Sequence, residues 1–269
     1  MTYISKSVLK PRGNKSPGAS APKEPNVTIV DVDDIAVFPQ RDGKGVLMEG
    51  SFVMKPNANM IQVYMTPSKS KASFESEGEE DAQQFKHKFE GEHPGNELEI
   101  SEFVQNFTGR NVIVIYGSCS DSFRKVLGSK CAPLQLKPSL QDDNDARKHM
   151  LVFEQAAASG YVPGHYTGEI VLEEPFAAAG HDLTVGANSL MQKLSSSAVA
   201  TDITVTSITA EADSIVTLIG GGGAAAATLE PAANVLLKGG ANWTALEGAV
   251  IHFKVFEGST KMLIEVGRA

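Results

Sequence analysis

The run Asn111-Val-Ile-Val-Ile-Tyr116 limits what this chain can fold into more than any other stretch. Consecutive β-branched residues stiffen the side chain at χ1 and favour an extended backbone. Neighbouring side chains of a strand point to opposite faces, so a continuous apolar run needs cover on both. The cover for one face is written just upstream. Ile100, Phe103, Val104 and Phe107 recur at i, i+3, i+4 and i+7, the spacing of one helical face. Asn96 is placed to cap that helix, Glu99 sits three residues on, Glu97 suits the N-terminus, and Gly109 offers a left-handed stop. The expectation is one helix docked on a buried strand, with a second sheet behind it.

Most of the remaining chain reads as strand. Runs at 27–35, 46–54, 60–66, 71–76 and 83–90 carry strand patterns. In the last of these Phe85, His87 and Phe89 alternate with Gln84, Lys86 and Lys88, the pattern of a half-buried strand with a wet face. The turn before it, Glu75-Ser-Glu-Gly-Glu-Glu-Asp81, concentrates carboxylates around Gly78. Residues 117–148 carry Pro133, Pro138 and the polar run Gln141-Asp-Asp-Asn-Asp145, and are expected as a long irregular loop. Strands resume at 149–155 and 167–173.

Four regions follow. Residues 1–26 mix Lys6, Lys10, Arg12, Lys15 and Lys23 with proline and glycine too dense for a helix or a central strand. This is an extended basic arm, with Ile4, Val8 and Leu9 as its apolar stripe. Residues 27–175 form the main β domain, the small and alanine-rich 176–200 a linker, and 201–269 a small all-β domain anchored by Trp243. The fold class is mainly β.

Composition removes several function classes. With 269 residues the chain can bury one large core or two modest ones. No apolar run reaches the roughly 18 residues of a spanning helix, and the N-terminal lysines lack a following apolar segment, so neither a membrane span nor a secretory signal is expected. A formal charge of −8 argues against general nucleic-acid binding. Cys119 and Cys131 are too few for a disulfide scaffold, and are expected as buried thiols of a chain folded in a reducing cytoplasm.

No catalytic motif emerges. Gly220-Gly-Gly-Gly-Ala-Ala225 formally fits a dinucleotide-binding loop, but no βαβ unit surrounds it, and it is read as a flexible hairpin loop. The six histidines show no metal-binding spacing. Gly117-Ser-Cys-Ser120 lacks the second glycine of a nucleophile elbow and an evident base. The chain is read as no enzyme, with no cofactor and no metal.

Residues 85–116 (FKHKFEGEHPGNELEISEFVQNFTGRNVIVIY) resemble the strand–helix–strand unit of tailed-bacteriophage major tail tube proteins. The acidic run at 141–145 and the strand at 149–155 are similar to that family's later strand pair, so the resemblance covers roughly residues 25–175. Residues 201–269 resemble the small, immunoglobulin-like domains that phage structural proteins display. The basic arm cannot be matched residue by residue.

The resemblance implies a β-sandwich or barrel domain with one flanking helix. It also implies homohexameric rings that stack into a hollow tube, contacts with other tail proteins, and DNA passing through without sequence-specific binding or any membrane. The location implied is the virion tail, after assembly in the host cytoplasm. Glu75, Glu77, Glu79, Glu80 and Asp81 are expected at an acidic lumen, offset by Lys86 and Lys88. Lys6, Lys10, Arg12, Lys15 and Lys23 are expected at contacts between rings. A head decoration or other virion structural protein, or a non-viral β-sandwich binding module, is the alternative.

Overall fold

The computed structural model describes residues 6–10, 18–56 and 58–269. They form a mainly β protein with one α-helix, divided into two units that are each discontinuous in sequence. One comprises Met1–Asp33, Arg41–Leu47 and Ile61–Tyr166; the other comprises Asp34–Gln40, Met48–Met60 and Thr167–Ala269. Among the described residues no helix is long and apolar enough to cross a membrane.

The first unit holds β1 (Asn26–Asp31), β2 (Ile61–Tyr64), β3 (Lys71–Glu77), β4 (Gln84–Pro94), α1 (Leu98–Phe107), β5 (Asn111–Tyr116), β6 (Arg124–Leu127), β7 (Leu134–Asp142), β8 (Arg147–Gln155) and β9 (Gly164–Tyr166). Val112, Ile113, Val114 and Ile115 of β5 are all buried, as a continuous apolar run requires. One edge of β5 pairs with β1 along Val112–Ile115. The other edge is shared: β6 takes Val114 to Tyr116 and β7 takes Asn111 and Val112. The sheet therefore forks at β5, towards β6 and β9 on one branch and towards β7, β8, β4 and β3 on the other.

Helix α1 packs through Ile100, with Phe103, Val104 and Phe107 partly buried against a core that includes Phe89, Leu136, Leu151 and Phe153. Its start differs from expectation. Glu97 is the N-cap residue and makes no side-chain cap, while the Asn96 carboxamide oxygen accepts from Ser101 and meets His149. Asn96 thus ties the helix to β8. The other end behaves as read, with Gly109 at φ +85°.

The expected irregular loop at 117–148 instead contains β6 and β7. Pro138 lies inside β7, opposite Leu151. Beyond Gln135 only a single bridge, Leu136 to Thr108, flanks the other edge of β7 among the described residues, and a proline is tolerated on such an edge. The strand expected at 167–173 is absent, and the turn-like 162–165 leads into β9 instead. Cys119 and Cys131 are both exposed, against the expectation of burial.

The second unit holds a short antiparallel pair, Ile35–Val37 with Val53–Met54. It continues with β10 (Phe176–Ala177), β11 (Asp182–Val185), β12 (Met191–Lys193), β13 (Asp202–Ile208), β14 (Ile215–Ile219), β15 (Thr228–Leu229), β16 (Val235–Leu236), β17 (Trp243–Thr244), β18 (Val250–Glu257) and β19 (Lys261–Arg268). Residues 176–200, read as a linker, contain three of these strands. The antiparallel immunoglobulin-like pairing is also not what the strands adopt. The chain alternates between two sheets, so that β10, β12 and β14 stack in parallel in one, and β11, β13 and β15 in the other. Such a coil joins strands that are next-but-one in sequence, which strand spacing alone does not reveal. The β18–β19 hairpin extends the first sheet and β16 ends it, β17 ends the second, and Trp243 is buried in the core between them.

The glycine run follows from this coil. Gly220 donates to the Ala249 carbonyl and Gly222 to that of Ala245, while Ser197 donates to the Gly222 carbonyl. A Cβ on Gly221 would lie 2.2 Å from the Leu194 carbonyl oxygen, and one on Gly223 2.1 Å from that of Ser197. Gly220, Gly221 and Gly222 are buried between two backbones, where a flexible loop was expected. Gly221→Ala is expected to destabilise the chain by about 3 kcal/mol or more, read by denaturant unfolding.

His252 adds a pH dependence. It is buried, its Nδ1 pairs with the Thr217 hydroxyl at 3.0 Å, and burial pushes its pKa down to about 4. An unfolded imidazole titrates near 6.5, so the unfolded state binds the extra proton first as pH falls. The neutral form's stabilisation is complete above pH 6.5 and is lost as pH drops towards 4, by about 3 kcal/mol. Unfolding of wild type and His252→Gln across that window checks this: the variant is expected to show the shallower pH slope.

Candidate functional site

The branch β7-β8-β4-β3 of the first unit presents a strongly charged face. Alternation puts Phe85, His87 and Phe89 of β4 on one side and Lys86, Lys88, Glu90 and Glu92 on the other. The antiparallel register aligns the same pattern across four strands, bringing Lys71, Glu75 and Glu77 of β3, Lys148 and Glu154 of β8, and Lys137 of β7 onto that second side. Lysine and glutamate match one for one over this face. Lys88 meets Glu90 at 2.6 Å, Lys137 meets Glu154 at 3.0 Å, Lys148 meets Glu92 at 3.0 Å, and Lys86 lies 3.9 Å from Glu77. The Lys137 ammonium holds the Glu154 carboxyl below its usual range.

The acidic residues singled out from the sequence therefore divide. Glu75 and Glu77 sit in β3, Glu75 directly opposite Lys86, and belong to the balanced face. Glu79, Glu80 and Asp81 form the turn beyond it, and no ion pair joins them among the described residues. That turn needs backbone that most residues avoid: Gly78 lies at φ +122° and Asp81 at φ +67°. The Gln83 carboxamide stitches it by donating to the Gly78 and Glu79 carbonyls.

The basic residues divide as well. Lys6 and Lys10 are exposed, and Arg12 and Lys15 lie outside the described residues. Lys23 is held inside the first unit: it bridges Ser118, donates from Nζ to the Ser118 hydroxyl at 3.1 Å, and stands 5.5 Å from the centre of the Tyr116 ring. The arm is thus tied down by residues 22–24, where Glu24 donates to the Gly117 carbonyl and Cys119 to that of Pro22.

Two arrangements escaped the sequence reading. His87 is fully buried. Gly128 N–H donates to its Nδ1, so its Nε2–H donates to the Tyr161 carbonyl, and burial lowers its pKa. Lys125 and His165 are cross-strand partners on β6 and β9, and the Lys125 ammonium donates to His165 Nε2. Phe123 stacks on His165 at 4.3 Å, and burial lowers the pKa of both Lys125 and His165. They line a cavity of about 330 Å³ shared with Tyr116, whose phenol burial pushes up to about 12. Their positions 40 residues apart have no motif; only the strand register brings them together. Among the described residues no group of three or more His, Cys, Asp or Glu is placed to hold a metal ion.

Compared with protein family models, curated proteins and solved structures, the chain shows no significant match.

The two sides of β4 contribute unequally to stability. Phe89→Ala removes a fully buried ring and is expected to cost about 3–5 kcal/mol. Lys148→Ala, which breaks the half-exposed pair with Glu92, is expected to cost less than about 1 kcal/mol. Equilibrium unfolding of both variants measures the contrast.

Proposed function

We propose that this chain is a structural subunit of a tailed-phage virion, the major tail tube protein, which polymerises as stacked hexameric rings around a DNA-conducting channel. The observation that carries the reading is the free edge of β3. This strand ends the branch β7-β8-β4-β3 and has only β4 beside it among the described residues. An unpaired edge is a template for a further strand, and repeating that pairing around a ring closes separate sheets into a barrel. The first unit, in this reading, is a tail-tube-like sandwich whose one helix backs the sheet. The second unit is a small β domain carried by the tube.

The charged face suits a channel wall. Lysines matched by glutamates leave no uncompensated cationic patch to hold phosphates, and Glu79, Glu80 and Asp81 at the turn add repulsion. The lumen in this reading is a balanced surface with an acidic lip, where the sequence alone suggested an acidic one offset by Lys86 and Lys88 only. The work of such a subunit is assembly and passive passage, without catalysis or cofactor.

Negative-stain electron microscopy of the purified chain tests this, with Glu77, Glu79 and Glu80 reversed to lysine as the second arm. Hollow rings or tubes are expected from both proteins, with DNA retained on the reversed tubes and not on wild type. Small particles of fixed stoichiometry at every concentration would instead favour a decoration protein or a binding module.

A further inference from the structure

The two-sheet coil of the second unit is open at its first turn. β10 ends its sheet and pairs only with β12 among the described residues, leaving the far edge of Phe176 and Ala177 without a strand. At the start of this strand lies a groove of about 440 Å³ formed within residues 169–176 and 187–191. Its lining interleaves apolar and acidic side chains. Leu172 and Phe176 are 43% and 54% exposed, Met191 is buried at its side, and Glu173 and Glu174 stand exposed between them. Among the described residues no lysine or arginine contributes to this lining. The ends of stacked parallel repeats need a cap, because their last rung exposes both backbone and core-type side chains.

The N-terminal arm carries the complementary pattern. Val8 and Leu9 are 91% and 75% exposed, the highest values of any large apolar residues described. Lys6 and Lys10 flank them, and residues 6–10 adopt no regular structure of their own. Two adjacent apolar side chains between two cations match a groove in which Leu172 and Phe176 alternate with Glu173 and Glu174, with Glu169 a third carboxylate of the lining. An extended segment without internal hydrogen bonds can also pair with an open edge.

We propose that residues 6–10 of one copy dock in this groove of a second copy. The arm lies alongside β10, Val8 and Leu9 cover Leu172 and Phe176, and Lys6 and Lys10 face Glu173 and Glu174. The inference rests on reading the chain as a self-assembling subunit, and it names the surface that receives the arm. One five-residue contact is small for a stable interface, so its strength comes from repetition around an assembly. Because Glu173 and Glu174 are exposed, the contact weakens as salt rises.

Sedimentation velocity on the full chain at low and high salt tests this with two charge reversals, Lys6→Glu with Lys10→Glu, and Glu173→Lys with Glu174→Lys. Wild type is expected to associate with rising concentration, and each reversal to weaken that at least tenfold. Mixing the two reversed proteins is expected to restore association, since a reversed arm then meets a reversed groove. Circular dichroism confirms that each variant is folded. Val8→Ser with Leu9→Ser, confined to the exposed arm, provides the same loss without touching the groove. Association that survives every one of these changes overturns the docking and leaves the tube reading standing. A finite dimer abolished by the reversals upholds the docking and overturns the tube. Compensation confined to one chain carrying all four reversals, at monomer mass, places the arm in its own groove and overturns the second copy.

Discussion

The first unit depends on the burial of one strand on both faces. β5 has no polar side between Val112 and Ile115, so every neighbour must present either an apolar face or a backbone edge. Its edges are filled by three strands, one along its length and two that divide the opposite side. That division forks the sheet, and the fork sets the β7-β8-β4-β3 branch apart with one face on the helix-covered core and the other left wet. The charged face is thus a consequence of how β5 is covered. Arg110 reinforces the arrangement just past the helix, reaching the nearly buried Asp31 of β1 at 3.0 Å while lying over Phe107.

Local patterns were legible in the sequence wherever one element explains them. The helix, the β5 run, the alternation of β4 and the acidic turn all sit where periodicity and glycine place them, because each obeys constraints internal to a dozen residues. What escaped needed partners distant in sequence. Proline and acidic residues at 133–145 resemble a loop, yet the edge position of β7 lets Pro138 remain in a strand. Alanine and serine at 176–200 resemble a linker, yet small residues are what a tight two-sheet coil accommodates between rungs. The glycine run looks flexible in isolation, and only the backbones on either side of it show that close approach is its purpose. Asn96 has the composition of a cap, but His149 and Ser101 compete for the same oxygen.

The candidate site shows the same limit in its electrostatics. From the sequence, five carboxylates within seven residues look like one acidic patch. The hairpin register sorts them by side and by height along the strand pair. Glu75 falls opposite Lys86, and Glu77 within reach of the same ammonium, while the three turn residues project past the last lysine. Exposed pairs of this kind contribute little to stability. Their consequence is a surface with short-range charge and almost no long-range field, since alternating charges a few ångströms apart cancel within a Debye length. A surface made of lysine alone would hold a polyanion, and one made of glutamate alone would strain its own folding by repulsion.

Both units leave a strand edge unsatisfied, and they do so differently. β3 is seven residues long, with Lys71, Glu75 and Glu77 on one side and Phe74 half-exposed on the other. Its charges discourage indiscriminate pairing, yet a partner of matching register still gains the full ladder of backbone hydrogen bonds. β10 is two residues long, too short to template a strand by its backbone alone, but it borders a groove that mixes apolar and acidic side chains. The first edge therefore favours a long strand of defined charge pattern, and the second a short apolar segment with flanking cations. A chain that stayed monomeric would gain by blunting both edges with proline or a covering loop. Here β3 carries no proline between Lys71 and Glu77, whereas Pro175 directly precedes β10 and shortens the edge that strand can offer.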